Sequence, residues 1–276
     1  MSRLSQRFAS LKSAGRKAVI PYVVAGDPAK DVTVPMMHRL VAAGADVLEL
    51  GVPFSDPMSE GPVIQRGHER ALECGVSLID VLAMVREFRT GDPDTPVVMM
   101  GYANPVERMG YADFAAACAE AGVDGLITVD LPPEEVGLLN AELKKVEIDN
   151  IFLISPTTPE QRVATITGNA SGFVYYVAVK GVTGAGHLDT ADVSQRLDII
   201  KAQTELPVCV GFGIKDADSA ARVGAFSDGV VVGSALIEAL AGTIEGGGET
   251  ADGVDAAVAL LADIRSGVDG ILESGH

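Results

Sequence analysis

The chain has 276 residues, 47% of them hydrophobic and none of them tryptophan, and a formal net charge of −17. That acidity argues against a nucleic-acid binder, whose phosphates would be repelled, and any phosphate ligand must be held by local donors rather than by the overall field. No window approaches the roughly 20 apolar residues of a membrane span, and MSRLSQRFASLKSAGRK (1–17) lacks the apolar run of a signal peptide. Cys74, Cys118 and Cys209 are widely spaced and read as reduced thiols in or near the core of a cytoplasmic protein.

An N-terminal helix over about 2–14 precedes the first apolar run, AVIPYVVAG (18–26). A helical pattern, VTVPMMHRLVAAG (32–44), leads to the second run, DVLELGVP (46–53). GPVIQRGHERALECG (61–75) and SLIDVLAMVREFRTG (77–91) read as two helices of one crossover before PVVMMGY (96–102). GYADFAAACAEAG (110–122) and PEEVGLLNAELKKV (133–146) are amphipathic and flank GLITVD (125–130). The remaining runs are NIFLISP (150–156), GFVYYVAV (172–179), PVCVGFGI (207–214) and GVVVGSAL (229–236). TIEGGGETADG (243–253) reads as a flexible connection to a C-terminal helix over about 251–273.

Most of these runs are β-branched and unalternated, as strands covered on both faces must be. Eight strands, each followed by a helical segment, predict an α/β chain folded as a (β/α)8 or TIM barrel. It is read as a single domain over 1–276, with the barrel at about 18–240 and extra helices at both ends. An open doubly wound sheet would carry a GxGxxG turn after its first strand; GDPAKD stands there instead.

Reactive groups in such barrels sit where strands end. Glu49 closes the otherwise apolar VLEL (47–50), where alternation points its side chain inward. Burial keeps such a carboxyl neutral and suits it to proton transfer; a buried structural ion pair is the competing reading. Glu60, in the loop that follows, reads by itself as a solvated charge. Gly211 and Gly213 in VGFGIKD (210–216), with Gly233 and Ser234 in VVGSAL (231–236), stand at the exits of the last two strands. Backbone N–H groups there can coordinate a phosphate, although glycines also serve tight turns. KGVTGAGH (180–187) has the composition of a lid, and equally of a plain surface loop. His38, His68, His187 and His276 form no cluster, and no Ser-His-Asp set or metal-ligand spacing is visible, so catalysis without metal is the simpler reading.

LELGVPFSDPMSEGPVIQ (48–65), GYANPV (101–106), DLPPEE (130–135), GVTGA (181–185), GFGI (211–214) and GSAL (233–236) occur in order along the chain. Together they closely resemble the α subunits of the tryptophan synthase family. The resemblance implies cleavage of indole-3-glycerol phosphate to indole and D-glyceraldehyde 3-phosphate. It also implies an α2β2 complex in which a β subunit carrying pyridoxal phosphate joins indole to serine; the α chain itself would need no cofactor and no metal. Glu49 matches the family's acid/base glutamate, and Glu60 falls where an aspartate usually meets the indole N–H.

By the same resemblance Tyr22, Met100, Ile127, Leu153, Tyr175 and Phe212 line the indole pocket, and Thr183 orients Glu60. Gly184, Gly213, Gly233 and Ser234 hold the phosphate, while Pro53, Asp56, Tyr102 and Asn104 face the β subunit. Two residues depart from the family pattern. Glu60 is one methylene longer than aspartate, and Tyr22 replaces a common phenylalanine. Two alternatives stand beside this reading. One is another phosphate-binding barrel enzyme, such as an indole-glycerol-phosphate synthase, which would use a lysine at a strand end; Lys180 and Lys215 lie just past strands. The other is a mainly regulatory subunit with little activity alone.

Overall fold

The structure, a computed structural model, describes residues 2–178, 190–211 and 213–273. The first half of the chain runs α1 (Arg3–Ser13), β1 (Ala18–Val24), α2 (Thr33–Ala42), β2 (Leu48–Gly51), α3 (Pro62–Glu73) and α4 (Leu78–Gly91). It continues with β3 (Val97–Gly101), α5 (Ala103–Met109), α6 (Tyr111–Ala121), β4 (Gly125–Thr128) and α7 (Gly137–Lys145). The second half comprises β5 (Asp149–Asn150), β6 (Phe152–Ile154), α8 (Glu160–Asn169), β7 (Val174–Val177) and α9 (Thr190–Lys201). The chain ends with β8 (Val208–Gly211), α10 (Ala217–Gly224), β9 (Gly229–Val232), α11 (Ser234–Glu245) and α12 (Thr250–Glu273).

All strand pairings are parallel, in the order β5-β4-β3-β2-β1-β9-β8-β7-β6. β5 and β6 are two halves of one broken strand around Ile151. The first half pairs with β4, and the Ile151 N–H donates to the Leu126 carbonyl at 2.9 Å. The second half pairs with β7. The barrel therefore closes with eight strand positions, matching the eight runs read from sequence.

Strand alternation divides the core into two layers. On β1, Ala18 and Ile20 point inward to meet Val98, Ile127, Phe173, Cys209 and Val231. Val19 and Val23 point outward against the surrounding helices. α1 closes the lower end, because Leu4, Phe8 and Leu11 recur at helical spacing and enter the inner layer. Phe8 packs on Phe173 with ring centroids 5.6 Å apart. The interior is thus filled below, and only the mouth at the strand C-termini is free for chemistry.

Three aspartates tie the lower rim. Asp46, Asp124 and Asp228 each precede a strand, and each accepts the N–H of a residue on another strand: Val19, Val97 and Val208 respectively. Asp46 also accepts from Arg265 of α12 at 2.9 Å, and the same arginine donates to the Lys17 carbonyl. Asp124 is held by Arg89 and Arg3. α12 packs on α10, α11, α2 and β1, so the end of the chain clamps its beginning.

Several sequence expectations shift in detail. The helix expected over 133–146 starts only at Gly137, after a turn at the prolines 132 and 133. The connection expected over 243–253 is shorter: α11 continues to Glu245, and Asp252 accepts the Glu249 N–H to start α12. Cys118 and Cys209 are buried, but Cys74, placed in or near the core from sequence, is exposed at the end of α3. His38 packs its ring against Phe88, with ring centroids 4.7 Å apart.

Candidate active site

Tyr22 of β1 and Glu49 of β2 are register partners on adjacent strands, both facing inward near the strand ends. Glu49 is 1% exposed, and neither carboxyl oxygen has a hydrogen-bond partner among the described residues. A carboxylate without a cation, amide or hydroxyl in such a place is costly, so the group takes the neutral form. Burial first, then the nearby charge of Glu60, push Glu49 up to about 8. The competing structural ion pair is thereby ruled out among the described residues.

Glu60 is not the solvated charge that its loop composition suggests. Its carboxyl is partly buried at the barrel mouth, and burial raises it to about 7. Its loop is held in place by side chains. The Ser59 N–H donates to the Tyr102 hydroxyl at 3.2 Å, and Tyr102 stacks on Phe54 with centroids 5.0 Å apart. The Phe54 N–H in turn donates to His68 Nδ1 at 3.1 Å. The Glu60 charge thus acts on Glu49 because the loop folds back over the mouth.

The apolar wall is present around this pair. Tyr22 packs with Val24, Ile237, Ile64 and Met100. Ile127, Leu153, Tyr175 and Met100 pack around the upper inner layer. Gly211 lies beneath the Tyr175 ring: a Cβ there would stand 2.2 Å from the tyrosine hydroxyl. Gly51 makes the same room for Tyr22, at 2.3 Å. At the last strand exits Gly213 has φ 77°, a left-handed backbone that favours glycine. Gly233 is the N-cap of α11, which begins at Ser234 and has no side-chain cap. That leaves N–H donors at the helix start for an anion.

Of the four partner-facing candidates, Asp56 and Asn104 are exposed, whereas Pro53 and Tyr102 are buried. Thr183, Gly184, Phe212, Lys180 and His187 lie outside the described residues. His68, Phe54, Gly51 and Ile64 join the site although sequence reasoning did not single them out for it. His68 stands 46 residues from Tyr22, and no spacing rule links them. No group of three or more His, Cys, Asp or Glu suited to a metal ion occurs among the described residues.

Fold and site together define a (β/α)8 enzyme whose mouth holds a pair of carboxyls raised by burial. A family model described as "Tryptophan synthase alpha chain" matches residues 8–263. A tryptophan synthase alpha chain from Thioalkalivibrio sulfidiphilus is 57% identical over 98% of this chain and 100% of its own length. One from Nitrosococcus oceani is 58% identical over 86% of this chain and 88% of its own. A crystal structure of tryptophan synthase subunit alpha from Legionella pneumophila superposes with a TM-score of 0.90 at 45% identity, covering 98% of this chain and 100% of that one. The chain belongs to the tryptophan synthase alpha chain family, a family of lyases that cleave indole-3-glycerol phosphate.

Proposed function

We propose that this chain cleaves indole-3-glycerol phosphate through Glu49 and Glu60, releasing indole and glyceraldehyde 3-phosphate. The observation that carries this reading is Glu49: a buried carboxyl without a hydrogen-bond partner among the described residues, raised further by the charge of a second carboxyl at the barrel mouth. Cleavage of the bond between indole C3 and the glycerol chain first requires a proton on C3. Neutral Glu49 donates it. The resulting indoleninium carries positive charge at nitrogen, which the Glu60 carboxylate stabilises by accepting the N–H. Glu49, now ionised, removes the proton from the glycerol hydroxyl next to the scissile bond. The C–C electrons return to the indole ring, which restores its aromaticity and frees the aldehyde. One residue thus acts as acid and then as base, and the loop residue holds the charge between the two steps.

Tyr22, Met100, Ile127, Leu153, Tyr175 and Phe212 are assigned to the indole, with Thr183 orienting Glu60. The phosphate is assigned to Gly184, Gly213, Gly233 and Ser234. The start of α11 supports that placement by offering uncapped amides without needing a lysine.

The chemistry needs Glu49 protonated and Glu60 ionised at once. With Glu60 raised to about 7 and Glu49 to about 8, that combination is most populated between the two values. The expected pH profile of kcat/KM for indole release is a bell with its maximum at about pH 7–8. Both limbs belong to the coupled pair. A profile that rises without limit through pH 9 would contradict Glu49 as the acid.

Family membership supports assembly with a β subunit, in an α2β2 complex whose β subunit carries pyridoxal phosphate. Asp56 and exposed Met58, on the loop after β2, and Asn104, in the first turn of α5, are assigned to the surface that would face it. The chain is assigned to the cytoplasm and to tryptophan biosynthesis, with no cofactor of its own; among the described residues no helix is long and apolar enough to cross a membrane. Because the loops that complete the site belong to the same surface, indole release is expected to be weak for the chain alone. It should rise at least about tenfold with a β subunit, the scale of a coupling free energy between sites. Equal rates with and without the β subunit would overturn that coupling, and no indole release in either condition would overturn the function.

A further inference from the structure

The hydroxyl of Tyr22 has an unusual setting. Tyr22 is 3% exposed and His68 2%, and Tyr22 Oη lies 3.3 Å from His68 Nε2. The other ring nitrogen, Nδ1, receives the backbone N–H of Phe54 at 3.1 Å. A backbone N–H can only donate, so Nδ1 carries no proton. A neutral imidazole then has its proton on Nε2. His68 is held neutral, since burial lowers it to about 4. Nε2 must therefore donate to Tyr22 Oη, and the hydroxyl's own proton has to point elsewhere.

What it can point to is limited. The ring of Tyr22 crosses Gly51, whose missing side chain lets the hydroxyl reach over β2. Burial first, and then the charges of Glu60 on the loop, Glu49 on β2, Tyr102 after β3 and Tyr175 on β7, raise this hydroxyl well above the ordinary tyrosine range. Neither tyrosine offers a charged acceptor: Tyr102 already receives the Ser59 N–H, and Tyr175 lies over Gly211. The carboxyls remain. Glu49 works as the neutral acid, which leaves Glu60 as the anion in need of donors.

We propose that Tyr22 is a positioning residue for Glu60: with His68 behind it, its hydroxyl donates to the Glu60 carboxylate and holds it over the indole nitrogen. This rests on the assignment of Glu60 as the charge-stabilising carboxylate. The chain of donation runs from the Phe54 N–H to His68, from His68 to Tyr22, and from Tyr22 to Glu60. It begins and ends on the same loop, so the loop fixes its own carboxylate through two side chains outside it. The device also supplies specificity, since a hydroxyl in the pocket wall can be satisfied only while an acceptor faces it.

The experiment is the pH dependence of kcat/KM for indole release, measured on the complex with the β subunit. Tyr22→Phe keeps the ring and removes the donor. Because the lost bond stabilised the ionised form, the acidic limb is expected to move up by about one pH unit while the basic limb stays. At pH 6 kcat/KM should fall about tenfold relative to the unmodified chain, with a much smaller change at pH 8. His68→Phe should shift the same limb in the same direction. In the Tyr22→Phe background it should shift nothing further, because the two residues act through one bond. His68→Gln, whose amide can accept from Phe54 and donate to Tyr22, should restore the unmodified limb.

A Tyr22→Phe profile superimposed on the unmodified one overturns the proposal, provided that Glu60→Asn is inactive. Movement of the basic limb instead assigns the hydroxyl to Glu49 and overturns it as stated. Normal turnover in Glu60→Asn would sink the underlying assignment rather than the Tyr22 device. Thermal melting of each variant separates these outcomes from loss of fold, and Tyr22→Phe is expected to melt within a few degrees of the unmodified chain.

Discussion

Glu49→Gln is expected to lower indole release at least about 10³-fold while the barrel still folds. Positioned proton transfers each contribute about 10²–10⁴-fold, and in the proposed mechanism Glu49 performs two of them in one turnover. An amide of the same shape can neither give nor take the proton. Turnover with indole-3-glycerol phosphate, together with circular dichroism of the variant, measures both halves of the statement; normal turnover would sink the mechanism.

The same substitution has a stability signature. The folded-state carboxyl is raised to about 8 from an ordinary value of 4.5. Below about pH 4.5 the group is protonated in folded and unfolded chains alike and carries no penalty. As pH rises towards 8 the unfolded chain ionises first, so stability drains from the folded state, and above 8 the loss is complete. Glu49→Gln should therefore melt above the unmodified chain at pH 8.5, with the gap closing towards pH 5. The site is kept at the expense of stability, as proton-transfer groups in apolar surroundings are.

Arg265→Ala is expected to destabilise the fold by about 3–5 kcal/mol, the scale for removing one partner of a buried pair. Arg265 and Asp46 are both buried, and without the guanidinium Asp46 keeps, among the described residues, the Val19 N–H, Arg7 at 3.9 Å and the more remote charge of Arg16. The helix would also lose its bond to the Lys17 carbonyl. Urea unfolding gives the comparison, with Arg39→Ala as the control. That arginine pairs with Asp255 in the open, where such pairs contribute about 0–1 kcal/mol. Arg265→Ala combined with Asp46→Ala should recover part of the loss, because no charge is then left stranded. A cost below about 1 kcal/mol for Arg265→Ala would show that the clamp is dispensable.

The barrel itself was legible because burial on both faces leaves unalternated apolar runs, and all eight appear as strand positions. The break at Ile151 was not legible, since it comes from the strand exchanging neighbours rather than from any residue that interrupts a strand. Glu49 was readable by alternation alone: a charged residue at an inward position of a short apolar strand needs a reason. Glu60 was not, because its burial depends on a loop that folds back through Phe54, Tyr102 and His68. The role of His68 was hidden for the same reason. It is one of four scattered histidines, and only the fold brings its ring between Phe54 and Tyr22. Tyr22 and Glu60, the two departures from the family pattern, are linked electrostatically: after burial, the Glu60 charge does most to raise the Tyr22 hydroxyl.

The lower clamp has a consequence for biosynthesis. A ribosome adds residues in order, and a domain folds as a unit. Asp46 leaves the tunnel more than two hundred residues before Arg265, the arginine that covers it. Every strand of the barrel can be in solution while that aspartate still lacks its principal counter-charge. A nascent chain stopped between β9 and α12 would hold the mouth residues Glu49 and Glu60 but not the bond that secures the opposite rim. Translation of α12 therefore supplies the guanidinium that completes the lower rim.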